Sequence, residues 1–296
     1  MRRWRLAAVA LLLAGQVQAE TVRHQVPRPD GTMIDYALDM PDGAPEGILL
    51  LAQGSGCQPT RLNANLRLVR AAFPRHVAVT MEKRGVAPEA AIADGYADCP
   101  AAFHAGYTTS GRVADYEAVL AEIGSPLPLV LYGGSEGGLA VAMLAGRVGA
   151  DAAIVMSSAT GMPFGEMVLS TVPPEGQESV RAGFAAARAD PQGDALFAGS
   201  SHRFWADILD LVAADFMLAA TVPFLVIQGG RDVSSPVAAA RVTADRFAAA
   251  GRCNLLYWEL PALDHGMADP QGVSQMAGVA RAAAHWATEM AAPAGC

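Results

Sequence analysis

The chain has 296 residues, with 29 acidic against 21 basic side chains and a net charge of −8. That length suits one large α/β domain or two small ones. The absence of a basic run excludes a phosphate backbone as partner, so no nucleic acid is expected. With no Cys-x-x-Cys pair and no histidine cluster at ligand spacing, neither a metal nor a cofactor is called for.

Residues 1–19 read as a signal peptide. Arg2, Arg3 and Arg5 form a basic start, residues 6–14 an apolar run too short to span a bilayer, and Val17-Gln18-Ala19 a small-residue cleavage site after Ala19. The expectation is a periplasmic or secreted protein with no stable membrane insertion. Residues 21–26 and 33–40 read as a strand hairpin around Pro29-Asp30-Gly31. Residues 47–52 form a continuous apolar run, as a strand buried on both faces does, and end in Gln53-Gly54-Ser55-Gly56-Cys57. A helix over 62–73 and a strand over 77–81 follow, then a long loop through Tyr96 and Cys99. Thr109 or Ser110 can cap a helix running to 123, and the strand 127–132 follows it.

That strand stops at Gly133-Gly134-Ser135-Glu136-Gly137 and resumes as the apolar helical stretch 139–145. A strand–turn–helix context makes a Gly-x-Ser-x-Gly pattern informative. The turn pushes one hydroxyl above the sheet edge, and side chains at Gly133 or Gly137 would collide with neighbouring backbone. After a short strand at 152–157 regularity is lost. Residues 161–220 carry scattered prolines, helical periodicity at 175–190 and an amphipathic helix at 204–218, and read as a helical cap inserted into the core formed by 20–160 and 221–296. The strand 223–227 ends in Gln228-Gly229-Gly230-Arg231-Asp232, a helix spans 236–250, and the strand 255–260 leads to Asp264-His265-Gly266. A helix over 273–290 closes the chain. Strands alternating with helices imply a mostly parallel sheet of about eight strands, covered on both faces.

Ser135, Asp232 and His265 each follow a strand directly, which puts all three at the carboxyl edge of one sheet, where open α/β sheets place their sites. A hydroxyl needs an imidazole to take its proton, and the imidazole needs a carboxylate to fix its tautomer. With these residues the chain resembles the α/β-hydrolase-fold serine hydrolases over its whole mature length. Gly133-Gly134-Ser135-Glu136-Gly137 matches their nucleophile elbow, Gly229-Gly230-Arg231-Asp232 their acid turn and Asp264-His265-Gly266 their histidine loop. The resemblance implies Ser135 as nucleophile, His265 as general base and Asp232 as its orienting acid. It also implies an oxyanion hole from the backbone N–H groups of Glu136 and of Ser55 (Gly56 being the competitor), although Gln53 stands where many members carry His.

Met162, Phe164, Phe204 and Trp205 are candidates for an apolar acyl pocket, or pack the insertion onto the sheet. Lys83 or Arg84 could hold a substrate carboxylate, and Glu136, Glu166 or Glu175 a substrate amine. Asp264 is adjacent to His265 and reads as a turn cap. Four cysteines allow three pairings, and Cys57–Cys99 is preferred because both follow strands on the same sheet edge. The expected activity is hydrolysis of a small-molecule ester. Cleavage of a short peptide amide is the enzymatic alternative, and a non-catalytic binding protein on a hydrolase scaffold the other. Nothing in the sequence sets the oligomeric state.

Overall fold

The computed structural model describes residues 21–92 and 94–290; the signal-peptide reading of residues 1–19 and Cys296 lie outside them. Along the chain come β1 (Thr21–Pro27), β2 (Met33–Asp39), β3 (Gly47–Ala52), α1 (Ala64–Ala72), β4 (His76–Met81), α2 (Ala101–Gly106), α3 (Thr109–Ile123), β5 (Leu129–Gly134), α4 (Glu136–Val148) and β6 (Ala152–Met156). The segment 161–220 holds α5 (Phe164–Thr171), α6 (Pro174–Ala189), the two-residue strands β7 (Leu196–Phe197) and β8 (Ser200–Ser201), α7 (His202–Ile208) and α8 (Ala213–Ala219). The core resumes with β9 (Phe224–Gly229), α9 (Val237–Ala249), β10 (Leu255–Leu260) and α10 (Met276–His285). Among the described residues no helix is long and apolar enough to cross a membrane.

Eight strands form one sheet in the order β1-β2-β4-β3-β5-β6-β9-β10. The β1–β2 hairpin is antiparallel, β2 runs antiparallel to β4, and every later pairing is parallel. The period-two alternation of strand side chains divides the core into two layers. Ile48, Leu50, Leu131, Ala153 and Val155 face α3, α4 and the 161–220 segment. Leu49, Leu51, Val130, Tyr132 and Ile154 face α1 and α10. All six residues of β3 are buried, as its unbroken apolar run requires.

The register brings the strand ends level. Ala52 pairs with Gly133, Gly134 with Met156, Met156 with Ile227, and Gly229 with Leu260. The residues that follow these positions therefore meet at one edge.

Several boundaries differ from the sequence reading. The helix expected over 204–218 is two, because the Leu209 and Leu211 carbonyls accept from Gly165 and Phe164 N–H at 2.8 and 3.1 Å instead of continuing a helix. Thr108, not Thr109 or Ser110, caps α3, its hydroxyl accepting from the Gly111 N–H at 3.0 Å. The short α2 was expected as loop; it is anchored by buried Phe103. The closing helix begins at Met276 rather than residue 273, since Ser274 bridges Ala268.

Candidate active site

The turn between β5 and α4 holds Ser135 at φ 55° and ψ −126°, outside the regions an L-residue ordinarily occupies. Neighbouring backbone enforces that strain. A Cβ on Gly133 would overlap the Gly137 carbonyl, and one on Gly137 would overlap the Ala52 carbonyl of β3. The Ser135 N–H donates to the Met156 carbonyl at 2.8 Å, and the Ser158 hydroxyl donates to the Ser135 carbonyl at 2.7 Å. The β5–α4 turn is thus fastened to the end of β6.

Asp232 lies in the turn after β9 with its side chain wholly buried. Its carboxylate accepts from the Ser234 and Ser235 N–H groups at 2.9 and 2.7 Å and from Gln228 Nε2 at 2.9 Å. It also meets His265 Nδ1 at 2.9 Å. A carboxylate so held selects the tautomer with its proton on Nδ1, leaving Nε2 free to accept. The Ser157 hydroxyl donates to the His265 carbonyl at 3.1 Å and steadies the loop. Gln228 went unnoticed in the sequence; its place four residues before the acid, at a strand end, was the only signal. Asp264 accepts from the Gly266 and Ala268 N–H groups at 2.9 and 2.8 Å, so it caps the histidine turn.

Ser135 and His265 line one cavity of ≈ 350 Å³, together with Gln53, Gly54 and Ser55 after β3, and Tyr96. Glu136 is the first residue of α4, so its backbone N–H has no intrahelical carbonyl to meet. The Glu136 side chain turns the other way, into a fully buried cluster. Its carboxylate accepts from the Tyr107 hydroxyl and lies 3.4 Å from Lys83 Nζ and 3.5 Å from Arg112 Nη1. The same two cations hold the backbone of the loop after β3: Lys83 donates to the Gly54 carbonyl at 2.7 Å and Arg112 to the Gln53 carbonyl at 2.8 Å. Burial pulls the Lys83 ammonium down to about 7, against the attraction of Glu136. Burial alone would raise Glu136; Lys83, Arg112 and hydrogen bonds from Tyr107 and Ser55 outweigh it and hold the carboxyl below its ordinary value.

The structure therefore removes Lys83 and the Glu136 side chain as substrate anchors. Arg84 pairs with Asp30 at the surface. Met162, Phe164, Phe204 and Trp205, the expected pocket residues, are absent from the lining of the Ser135 cavity, as is every other residue of 161–220. Met162 and Phe164 border a separate void of ≈ 10 Å³ beside Leu139. Phe204 stacks on Tyr107, and Trp205 donates to the Phe197 carbonyl at 2.8 Å within an aromatic cluster. In segment 161–220, α7 packs on α3 and α8 on α4, and an amphipathic stripe does not reveal which surface it will cover. A larger cavity, ≈ 970 Å³, opens between the β1–β2 hairpin and α1. It contains none of Ser135, Asp232 and His265, and its Arg61 and Arg70 already donate to backbone carbonyls.

The disulfide Cys57–Cys99 is present, with a Cα–Cα distance of 5.5 Å. With the Cys57 N–H donating to the Gly95 carbonyl at 2.7 Å, it fastens the loop carrying Tyr96 to the loop carrying Ser55. Cys253 is disulfide-bonded as well.

No protein-family model matches the chain, and no curated protein matches it in sequence. Solved structures do match in fold. The esterase Est1E from Butyrivibrio proteoclasticus is 16% identical, with a TM-score of 0.59 over 89% of this chain and 96% of its own. The esterase RhEst1 from Rhodococcus sp. ECU1013 is 19% identical, with a TM-score of 0.58 over 90% and 98%. A lipase in its open form is 18% identical, with a TM-score of 0.62 over 90% and 99%. The chain has the α/β-hydrolase fold.

Proposed function

We propose that the protein is an exported serine hydrolase that cleaves an ester through an acyl-enzyme on Ser135. The observation that carries this reading is the pairing of His265 with the buried Asp232, with His265 and the strained Ser135 turn lining one cavity at one sheet edge. Ser135 Oγ attacks the ester carbonyl as His265 Nε2 takes its proton. The developing oxyanion is met by the backbone N–H groups of Glu136 and Ser55, each such donor being worth roughly a hundred- to a thousand-fold in rate. The leaving alcohol departs with the proton from His265. Water, deprotonated by the same imidazole, then releases the acid. Segment 161–220 acts as a structural brace on α3 and α4 rather than as a wall of the cavity.

An ester is favoured over an aminoacyl amide because, among the described residues, the cavity lining contains no carboxylate to hold a substrate ammonium. Glu136 is committed to Lys83 and Arg112. The disulfide supports export, since such bonds persist in oxidising compartments. Intact-mass analysis after a fluorophosphonate probe tests the reading: one adduct on the wild type and none on Ser135→Ala is expected. No adduct on well-folded wild type would leave a binding protein on a hydrolase scaffold.

A further inference from the structure

Lys83 is the only lysine among the 21 lysine and arginine side chains of the sequence, and its side chain is wholly buried. It stands just after β4, in a turn closed by the Val86 N–H donating to the Lys83 carbonyl at 3.0 Å. Its shorter bond is not to the carboxylate. Nζ lies 2.7 Å from the Gly54 carbonyl, against 3.4 Å from Glu136 Oε1. The cluster holds two cations to one carboxylate, and burial disfavours the Lys83 charge more strongly than Glu136 favours it. Arg112 and Glu136 balance each other without it. Stability therefore gives no reason for a second buried cation.

The loop that Lys83 touches supplies one. Gly54 and Ser55 share a trans peptide, in which the C=O and the N–H point in opposite directions. Lys83 holds the Gly54 carbonyl from the interior, so the Ser55 N–H is turned the other way. Ser55 is exposed there, on the wall of the Ser135 cavity. A Cβ on Gly54 would lie 3.2 Å from that of Ser135, so this peptide runs directly past the nucleophile. Glycines at 54 and 56 leave it free to rotate unless something fixes it. The Glu136 N–H, the second expected donor, belongs to the residue whose carboxylate faces Lys83 and Arg112. One cluster thus sets the two donors relative to each other.

Resting on the serine-hydrolase reading, we infer that Lys83 is a positioning residue: through the Gly54 carbonyl it aims the Ser55 N–H at the oxyanion that forms on the substrate carbonyl. Lys83 itself touches no reacting atom. The hydrogen bond it aims strengthens as charge develops in the transition state, so its loss falls on kcat rather than on KM.

The test is Lys83→Met, which removes the donor and leaves Arg112 and Glu136 paired. Steady-state kinetics use p-nitrophenyl acetate. The inhibitor is benzyl trifluoromethyl ketone, whose carbonyl takes up Ser135 Oγ while the serine proton passes to His265, leaving a negative oxygen like that of the intermediate. In the variant kcat should fall about a hundredfold with KM within about threefold of wild type, and the ketone's Ki should rise by the same factor by which kcat/KM falls. Lys83→Gln, too short to reach Gly54, should lose as much. Asp115→Ala, which breaks the Arg28 pair instead, should keep the wild-type kcat and Ki. A Lys83→Met kcat within about threefold of wild type, or a loss that Asp115→Ala matches, would overturn the positioning role. Failure of both Lys83 variants to fold, read by near-ultraviolet dichroism, would make Lys83 a strut of the fold and overturn it as well. Wild type that neither hydrolyses the ester nor takes a fluorophosphonate label would instead overturn the serine-hydrolase reading.

Discussion

Replacing Glu136 by Gln keeps the shape of the side chain and removes one charge from a cluster in which Glu136, Lys83 and Arg112 are at most 1% exposed. With charges 3.4 and 3.5 Å apart, each attraction is on the order of 5 kcal/mol at an effective dielectric of about 20. Desolvation and the mutual repulsion of the two cations offset much of that. Breaking a buried pair by removing one partner costs about 3–5 kcal/mol, a large share of a typical stability of about 5–15 kcal/mol. The penalty should depend on pH in a set direction. Glu136 is held below its ordinary value, so its stabilisation is present above the unfolded carboxylate pKa and is lost as pH falls through the folded one. Lys83 sits at about 7 when folded against 10.5 unfolded. Without Glu136 it drops further, so the variant sheds that proton at a lower pH than the wild type does and regains stability there. The difference between the two proteins should therefore be largest near pH 5.5 and smaller at both pH 4 and pH 8. Urea unfolding at the three pH values, with unchanged m, measures it. A difference below about 1 kcal/mol at pH 5.5, or one that grows steadily to pH 8, would refute a buried carboxylate balanced against these two cations.

Asp232→Asn should lower kcat by roughly a thousand- to ten-thousand-fold with little change in KM, because the amide no longer selects the Nδ1–H tautomer; steady-state kinetics on p-nitrophenyl acetate reads this. Gly137→Ala should fail to give folded protein, since its Cβ would overlap the Ala52 carbonyl, and soluble yield with near-ultraviolet dichroism reports it. Replacing Cys57 and Cys99 together by Ala opens a loop of 42 residues in the unfolded chain, which corresponds to about 4 kcal/mol in the loop-entropy relation; urea unfolding of the oxidised double variant beside the oxidised wild type measures the loss. Asp115→Ala strands Arg28, which now makes a bidentate pair with it at 2.7 and 2.8 Å. A loss of about 3–5 kcal/mol is expected by the same unfolding assay, with fluorophosphonate labelling retained.

The primary sequence by itself determined the alternation of strands and helices, because burial on both faces demands continuous apolar runs and those runs are unmistakable at 47–52, 129–132 and 223–227. It also put Ser135, Asp232 and His265 at one sheet edge, because each comes after the end of a strand in a mostly parallel sheet. Tertiary structure decided where the amphipathic surfaces went. Phe204 and Trp205 carry the same apolar stripe whether a helix roofs a cavity or braces α3, and only the Tyr107 stack and the Phe197 carbonyl fix the second outcome. Gln228 and the Glu136 cluster were illegible for a related reason. The cluster's partners lie far along the chain, as with Lys83 and Glu136, 53 positions apart, and even near neighbours such as Gln228 and Asp232 meet only once the turn after β9 has formed. A polar side chain's role is set by what fills the space beside it, which local periodicity does not encode, whereas an apolar run has only the interior to occupy.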